Sequence, residues 1–433
     1  MGSEPASRPV NLDLFAEVDR RTPRSSVGRT PSRSRRTDES AQTGAISPAA
    51  DRSAGPPSGA PGASPSPFAG GSSHTPGRDH AKRAGPAETQ PAPRSAEAAP
   101  APSGPSFFGR PFREFEYSGG VHLADSVLWC DADRKRDLSF ISSAHVDVMG
   151  KNRRILSTDE TLKILTRGTG RIDALTSPYR RSFTLGPLEL EMHPSGRMLG
   201  AAQLLVVRNG RRILYTNDFL TQRLATAERA HPRPVDVVAL PATFGQPNLV
   251  FPPREEVFED IRGFVDRSFE EKATPVLVVP PLGPAQELMY LLGKRGYRIR
   301  AHRSIFDVGK IYIQLGVNLL NAKRLQGAPA RDEVVLVPPI LRHSAPVRKI
   351  KNPRTAWIGG RAVDPGHVHR TRVDAAFPFG EAADFDELVD FVEQCDPSEV
   401  YVTTGEAEAL ASRLAHRGRR VLPLVQPEQL ALF

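Results

Sequence analysis

The sequence predicts an α/β protein, in which an αββα sandwich is interrupted by an inserted α/β domain and preceded by an unfolded tail. Three observations carry this prediction. Residues 20–106 are rich in Pro, Ser, Gly, Ala and Arg and have almost no large apolar side chains. Short strand-like segments follow up to about residue 244, and beyond it apolar strands alternate with helical periods. The predicted segments are 1–106, 107–244, 245–350, 351–425 and a terminal peptide, 426–433.

Length and charge bound the function. The chain has 433 residues, a net charge of +9 and a pI of about 9.7, so we expect a large core and a polyanionic partner, most simply nucleic acid. A basic protein without such a partner is the alternative. Only Cys130 and Cys395 are present, which excludes a disulfide framework or a cysteine-based zinc cluster. No apolar signal core or membrane-length run is found, so a cytoplasmic location, possible nucleoid association and no membrane partner are expected.

The tail carries a cluster of arginines without an acid. Such a cluster suits contact with a phosphate backbone, although a merely solvated tail is the alternative. The seven residues are Arg20, Arg21, Arg24, Arg29, Arg33, Arg35 and Arg36.

The first folded segment reads as short strands with one helix. Asn209-Gly210 joins two of them as a hairpin, and the run Ser157–Glu160 resembles a capped helix start. The predicted strands are Val121–Leu123, Val127–Cys130, Leu138–Ile141, Lys151–Leu156, Phe183–Met192, Ala202–Val207, Arg212–Tyr215 and Val235–Leu240.

The later segments alternate between the two periods. Helices are predicted at Glu255–Phe269, Pro284–Lys294, Ile305–Leu320, Asp384–Gln394 and Ala407–Arg417. Strands are predicted at Pro275–Val279, Tyr297–Ala301, Val334–Val337, Ala356–Ile358, Val400–Thr403 and Arg420–Leu424.

One stretch has the form of a metal-site loop. Phe140–Val148 begins as a buried strand and ends in a loop with His145 and Asp147. Imidazole and carboxylate are ordinary ligands of zinc or manganese. The loop is nevertheless short of ligands.

From about Phe112 to Leu424 the chain resembles the metallo-β-lactamase/β-CASP nucleases. The likeness is to the bacterial branch of ligase-associated DNA exonucleases, also described as mRNA 3′-end-processing exonucleases. Six stretches in matching order carry it: Ile141–Val148, His193–Gln203, Leu214–Phe219, Ala242–Gly245, Ala382–Phe385 and Val402–Gly405.

In that family, two metals held by histidines and aspartates generate the hydroxide that attacks the phosphodiester. The resemblance makes His145, Asp147 and Asp218 the matching ligands. Six other ligand positions do not match: Ser143, Val148, Arg197, Pro241, Ala382 and Thr404.

Three survivors leave each ion with about two protein ligands, whereas a metal site needs roughly three to four. Arg197 also places a permanent positive charge where a dication would sit. We expect its guanidinium to replace the metal charge by pairing with Asp218 and with Asp147.

Three functions remain open. We favour a catalytically inactive nuclease homologue without a cofactor. The first alternative is an exonuclease with a rebuilt or one-metal zinc or manganese site at His145, Asp147 and Asp218. The second is a structural adaptor that binds no nucleic acid. His193 is expected to form a local hydrogen bond, and His367 and His369 to lie in a solvated loop.

Both ends carry short leucine–phenylalanine peptides. The terminal one resembles the pentapeptide by which bacterial replication and repair proteins bind the sliding clamp, the β subunit of the DNA polymerase. Its binding residues would be Gln429, Leu430, Leu432 and Phe433, and a near-copy has Asn11, Leu12, Leu14 and Phe15. The alternative is that the terminal peptide packs on the chain's own core. We therefore expect a clamp-tethered accessory of bacterial DNA repair or replication, with DNA and a repair ligase or nuclease as further partners.

Overall fold

Three β-sheets and eight α-helices form the described part of the chain, which confirms the α/β class. The computed structural model describes residues 10–11, 113–145, 152–167, 172–405, 407–415 and 418–424. All of these belong to one compact unit, formed by residues 1–20 and 104–433. No helix in these ranges is long and apolar enough to cross a membrane.

The strands are short, as their β-branched runs between turn residues require. In chain order they are β1 (Val10–Asn11), β2 (Phe115–Tyr117), β3 (Val121–Leu123), β4 (Trp129–Cys130), β5 (Leu138–Phe140), β6 (Arg154–Ser157), β7 (Ala174–Thr176), β8 (Phe183–Leu185), β9 (Leu188–Pro194), β10 (Ala202–Arg208), β11 (Arg211–Tyr215), β12 (Val237–Ala242), β13 (Thr274–Val278), β14 (Arg298–Ala301), β15 (Ala322–Arg324), β16 (Glu333–Val337), β17 (Pro353–Ile358), β18 (Ala375–Phe377), β19 (Glu399–Gly405) and β20 (Arg420–Pro423).

The helices are α1 (Asp159–Leu165), α2 (Arg254–Glu270), α3 (Pro284–Lys294), α4 (Arg303–Gln314), α5 (Ala345–Arg348), α6 (Pro365–Thr371), α7 (Phe385–Cys395) and α8 (Ala407–Ala415). The hydroxyl of Thr158 caps α1 by accepting from the backbone N–H of Thr161 at 3.1 Å, as the predicted helix start requires.

The first two sheets pack face to face. One has the order β2-β3-β4-β5-β6-β7, and the other β1-β8-β9-β10-β11-β12-β19-β20. A single apolar cluster lies between them, with Phe115 and Phe140 from the first sheet and Leu204 and Tyr215 from the second. Helices α7 and α8 cover the outer face of the eight-stranded sheet through Leu388 and Leu414.

The third sheet, β15-β14-β16-β13-β17-β18, is parallel throughout. Its central strands are continuously buried, as parallel strands covered on both faces must be. The sheet takes in Pro353–Ile358 and Ala375–Phe377, so it extends past residue 350, where the sequence analysis ended the inserted segment.

Two local predictions change. Phe183–Met192 was expected as one strand, but a turn at Gly186, with φ of 57°, divides it into β8 and β9. His367 and His369 were expected in a loop, but they lie on α6. Asp364 caps that helix by accepting from the N–H of Gly366 at 2.9 Å, and Pro365 occupies its first position.

Candidate functional site

The candidate site lies where several strands end together. Strands β9, β11, β12 and β19 run in the same direction, so their carboxyl ends share one edge of the eight-stranded sheet. That edge brings together Arg197 after β9, Asp218 after β11, Thr243 after β12 and Thr404 within β19. His145 follows β5 of the facing sheet, and it lines one cavity with Arg197 and Thr404.

Arg197 and Asp218 form an ion pair at the centre of this edge. Nη1 of Arg197 is 2.7 Å from Oδ2 of Asp218, and each side chain is only 14% exposed. The other carboxylate oxygen, Oδ1, accepts from the hydroxyl of Thr243 at 2.6 Å. The predicted pairing of Arg197 with Asp218 is therefore confirmed.

The turn before Arg197 depends on Gly196. This residue has φ of 79°, and a Cβ built there would lie 2.1 Å from the carbonyl oxygen of Leu220. Only glycine allows so close an approach in this conformation. The turn at Gly196 therefore fixes the backbone position of Arg197.

Glu381 is a third charged member that sequence reasoning missed. Its Oε2 accepts from the N–H of Gly360 at 2.8 Å. Burial raises the pKa of this carboxyl, and the hydrogen bond from Gly360 and the charge of Arg197 oppose that rise. Its nearness to Asp218 raises the pKa further. The resemblance singles out the adjacent Ala382 and gives no signal for Glu381.

Asp131 is a second carboxylate that the sequence did not single out. It accepts from the N–H of Ser142, the hydroxyl of Tyr215 and the amide of Asn217, each at 2.9 Å. Burial raises its pKa, and these hydrogen bonds oppose the rise. Its φ of 46° is unusual for a residue other than glycine. Asp131 therefore ties the ends of β4, β5 and β11 to one another.

His145 has no hydrogen-bond partner for its Nε2 atom among the described residues, although that atom is buried. Burial holds its pKa well below the usual range, and the charges of Arg197 and Arg167 lower it further. A neutral imidazole follows. The buried hydroxyl of Ser143 is likewise without a partner within the described ranges.

The remaining predicted positions are placed as follows. Pro241 and Ala382 are buried, whereas Thr404 is exposed. Thr404 lines a cavity of about 400 Å³ with Asp131, His145, Arg197 and Asn217. Asp147 and Val148 lie outside the described residues.

The described residues of the site do not fit a metal pair. Oδ1 of Asp218 already accepts a hydrogen bond from Thr243, and Oδ2 is paired with Arg197, which brings its own positive charge to the same point. Within the described ranges, no three His, Cys, Asp or Glu side chains are grouped so as to hold a metal ion. His145 is the one predicted ligand whose donor atom is without a partner there.

The other histidines have local roles. Nε2 of His193 lies 2.8 Å from Nη1 of Arg233 and 3.0 Å from Oε1 of Glu191, so the predicted hydrogen bonding is confirmed. His367 packs edge-on against Trp357, with ring centres 4.8 Å apart, while His369 is exposed.

A basic edge lies on the parallel sheet. Because all six strands point the same way, the residues that follow them meet at one edge. Arginines stand there at or after four strands: Arg303 after β14, Arg324 at the end of β15, Arg342 after β16 and Arg361 after β17. We call these four residues the basic edge.

A cleft of about 840 Å³ opens between α1 and α4, and Arg303 and Arg324 of the basic edge belong to its lining. Five cationic side chains and one acid line it: Lys163, Arg167, Arg303, Lys310, Arg324 and Asp307. Asp307 pairs with Arg303 at 3.4 Å and Lys310 at 3.5 Å, so the cleft remains positive. A phosphate backbone suits such a lining.

The predicted peptide sites and the arginine cluster fall mostly outside the described residues, which end at residue 424. Asn11 is described only as part of β1, which pairs in parallel with Phe183–Thr184 of β8.

No model of a known protein family matches the chain. Over 325 residues, or 74% of this chain, it is 32% identical to a protein of Opitutus terrae named probable DNA ligase. The match covers 32% of that protein, so the chain spans about a third of its relative's length. A crystal structure of a protein of unknown function from Enterococcus faecalis V583 is similar over 67% of this chain and 79% of that one, with 11% identity and a TM-score of 0.45.

Proposed function

We propose that this protein is a DNA-binding accessory of DNA metabolism, built on a metallo-β-lactamase fold with an inserted β-CASP domain, in which the nuclease site has become metal-free. The observation that carries the proposal is the ion pair between Arg197 and Asp218. A guanidinium does not deprotonate in proteins, so the cation at this point is permanent.

The electrostatics of the site support a built-in cation. Asp218 and Glu381 are neighbouring carboxylates, and two such groups repel one another where water is scarce. Arg197 pairs with the first and its charge favours the ionised form of the second. The arginine thus provides the neutralisation that a metal ion provides in a working nuclease site.

DNA is the polyanion that we favour. The relative's name supports a role in DNA metabolism. The cleft provides a positive surface that includes Arg167, whose charge acts on His145 of the candidate site. In this reading, phosphates contact Arg303 and Arg324 while the site holds no hydrolytic water.

The proposed role in DNA metabolism also suggests protein partners. Because the relative is a larger protein that carries the name of a ligase, we propose that this chain acts with a DNA ligase on the same DNA. The leucine–phenylalanine peptides at residues 11–15 and 429–433 would tether it to the sliding clamp.

The test is salt-dependent binding to short duplex DNA. Arg303→Glu with Arg324→Glu should weaken binding and lower the slope of log Kd against log salt by about 1 for each lost phosphate contact. Arg331→Glu is the matched control, because Arg331 precedes β16 and therefore lies at the opposite edge of the sheet. Equal losses in both variants, or no DNA binding by the native protein, would contradict the proposal and favour the adaptor.

One observation favours a second candidate, a nuclease with a single metal. The buried Nε2 atom of His145 has no partner in the described ranges, so it is free to ligate. Such an enzyme would need Asp147 and a displaced Asp218. Manganese-dependent or zinc-dependent cleavage that is lost in His145→Ala would identify it.

A further inference from the structure

The most exposed large apolar side chain of the described residues lies on the basic side of the parallel sheet. Ile340 is 90% exposed, against 52% for Ile313, the next in rank. A single exposed apolar residue needs no explanation by itself. The setting of Ile340 distinguishes it.

Ile340 stands at the centre of a stiff turn. The turn is a single 3-10 turn, Pro339–Leu341, with Pro338 before it. The N–H of Leu341 donates to the carbonyl of Pro338 at 3.0 Å, and Pro338 itself is buried. Two consecutive prolines fix the backbone, so little conformational entropy remains to be lost when the tip binds. We call Pro338–Leu341 the tip.

The tip follows β16, a central strand of the parallel sheet, and therefore lies at the same edge as Arg303 and Arg361. The sequence from 334 to 363 contains no Asp or Glu. Two arginines of the basic edge accompany the tip: Arg342 directly follows it in the sequence, and Arg361 follows the neighbouring strand β17. Arg361 is exposed and Arg342 partly exposed, and neither forms an ion pair with any described residue.

An apolar point among unpaired cations matches the chemistry of a nucleic acid, in which anionic phosphates flank apolar base faces. Apolar wedges inserted between base steps, with cations on the flanking phosphates, unstack and bend a duplex. A protein partner would require a wider apolar area than one isoleucine and its neighbouring leucine.

We propose that Ile340 is a wedge that enters the base stack of DNA lying across the basic edge, at a step where stacking is weak, such as a nick. This inference rests on the proposed DNA binding. Arg342 and Arg361 would hold the phosphates on either side of the opened step.

The test uses the full chain and a duplex of about 24 base pairs with a fluorophore at each end. One version is intact and one has a central nick, each with 2-aminopurine at the central step. The native protein should raise the 2-aminopurine signal and the end-to-end energy transfer, more so on the nicked duplex. Ile340→Ser should lose both signals, bind about tenfold more weakly, and keep the native salt slope.

Ile313→Ser is the control, because it removes an exposed isoleucine from α4. It should behave like the native protein. Unstacking retained in Ile340→Ser, or native binding without unstacking, would overturn the wedge while leaving DNA binding intact. Failure of the native protein to bind either duplex would instead overturn the proposed function. Binding to phosphatidylserine vesicles that depends on Ile340, without DNA unstacking, would assign the tip to a membrane surface and also overturn the proposal.

Discussion

Nη1 of Arg197 lies 2.7 Å from Oδ2 of Asp218, at the point where four parallel-running strands of one sheet end. The sequence predicted this pairing, and the contact is an ion pair within the protein. Most of what we expect of this molecule follows from that relationship.

Breaking the pair should destabilise the fold. Arg197→Met leaves Asp218 beside Glu381 without a cation, and Asp218→Asn leaves the guanidinium unpaired. Because both side chains are largely but not fully buried, each change should lower the free energy of unfolding by about 2 kcal/mol. The double variant should cost less than the sum.

Denaturant unfolding of the two single variants and the double variant measures this coupling. Arg153→Met is the control, since Arg153 meets Asp137 only at 3.8 Å on an exposed surface and should change stability by less than about 0.5 kcal/mol. Strict additivity of the single changes would mean that the two residues do not act as a pair.

Acid should weaken the protein through His193. Burial lowers the pKa of His193 to about 3, and the charges of Arg233, Arg180 and Arg212 add to the effect. In the unfolded chain the pKa is about 6.5, so below that pH the unfolded state binds the extra proton. Stability should therefore rise between about pH 3 and 6.5, by up to about 1.4 kcal/mol per pH unit from this residue.

The measurement is the free energy of unfolding at pH 4.5 and 6.5. His193→Gln should narrow the difference between the two, whereas His369→Gln, which alters an exposed histidine, should leave it unchanged. An unaltered pH dependence in His193→Gln would show that this histidine is not held neutral.

Glu287 should hold the segment after Asp218 in place. Its carboxylate accepts from the N–H groups of Ala225 and Thr226 at 2.8 and 3.0 Å and from the Thr226 hydroxyl at 2.5 Å. Glu287→Gln replaces one acceptor oxygen by a donor, so unfolding should become easier by about 1–3 kcal/mol.

Hydrogen exchange of the amides of residues 225 and 226 checks this directly. Exchange there should accelerate in Glu287→Gln and stay native in Glu256→Gln, which changes an exposed carboxylate on α2. Unchanged protection in Glu287→Gln would mean that other contacts fix this segment.

The terminal peptides remain predictions from the sequence. Alanine at Leu430, Leu432 and Phe433 should weaken binding to a bacterial sliding clamp by at least about tenfold, because such anchors carry most of the energy of a short peptide. Adding alanine at Leu14 and Phe15 should abolish binding measured by surface plasmon resonance. If clamp binding persists after both sets of substitutions, these peptides do not bind the clamp.

Local signals in the sequence determined much of the fold. The hairpin at Asn209-Gly210 forms because both residues adopt positive φ, 51° and 79°, as a tight turn between twisted strands requires. Helix α3 has the predicted bounds because Pro284 opens it and Gly296 follows its end. Gly186-Pro187 indicates the turn that divides Phe183–Met192. The alternating apolar residues on both sides of it favoured a single strand instead.

The site was predicted only in part. The ion pair between Arg197 and Asp218 was predicted, because the resemblance assigned both residues to neighbouring ligand positions. Asp131 and Glu381 belong to the site through tertiary hydrogen bonds, with partners that include Ser142, Tyr215 and Gly360. Contacts between residues so far apart in the chain leave no periodic pattern in the sequence. The helix at His367 was within reach, because Asp364-Pro365 is an N-cap followed by a first-position proline.

The most direct test of the central claim is the metal content of the purified protein, measured together with cleavage of DNA and RNA in added manganese or zinc. If Arg197 replaces the metal charge, the native protein should contain less than one metal ion per chain and should cleave neither DNA nor RNA. The His145→Ala variant should give the same two results. Near-stoichiometric metal with cleavage that His145→Ala abolishes would contradict the claim and make the site a rebuilt nuclease centre.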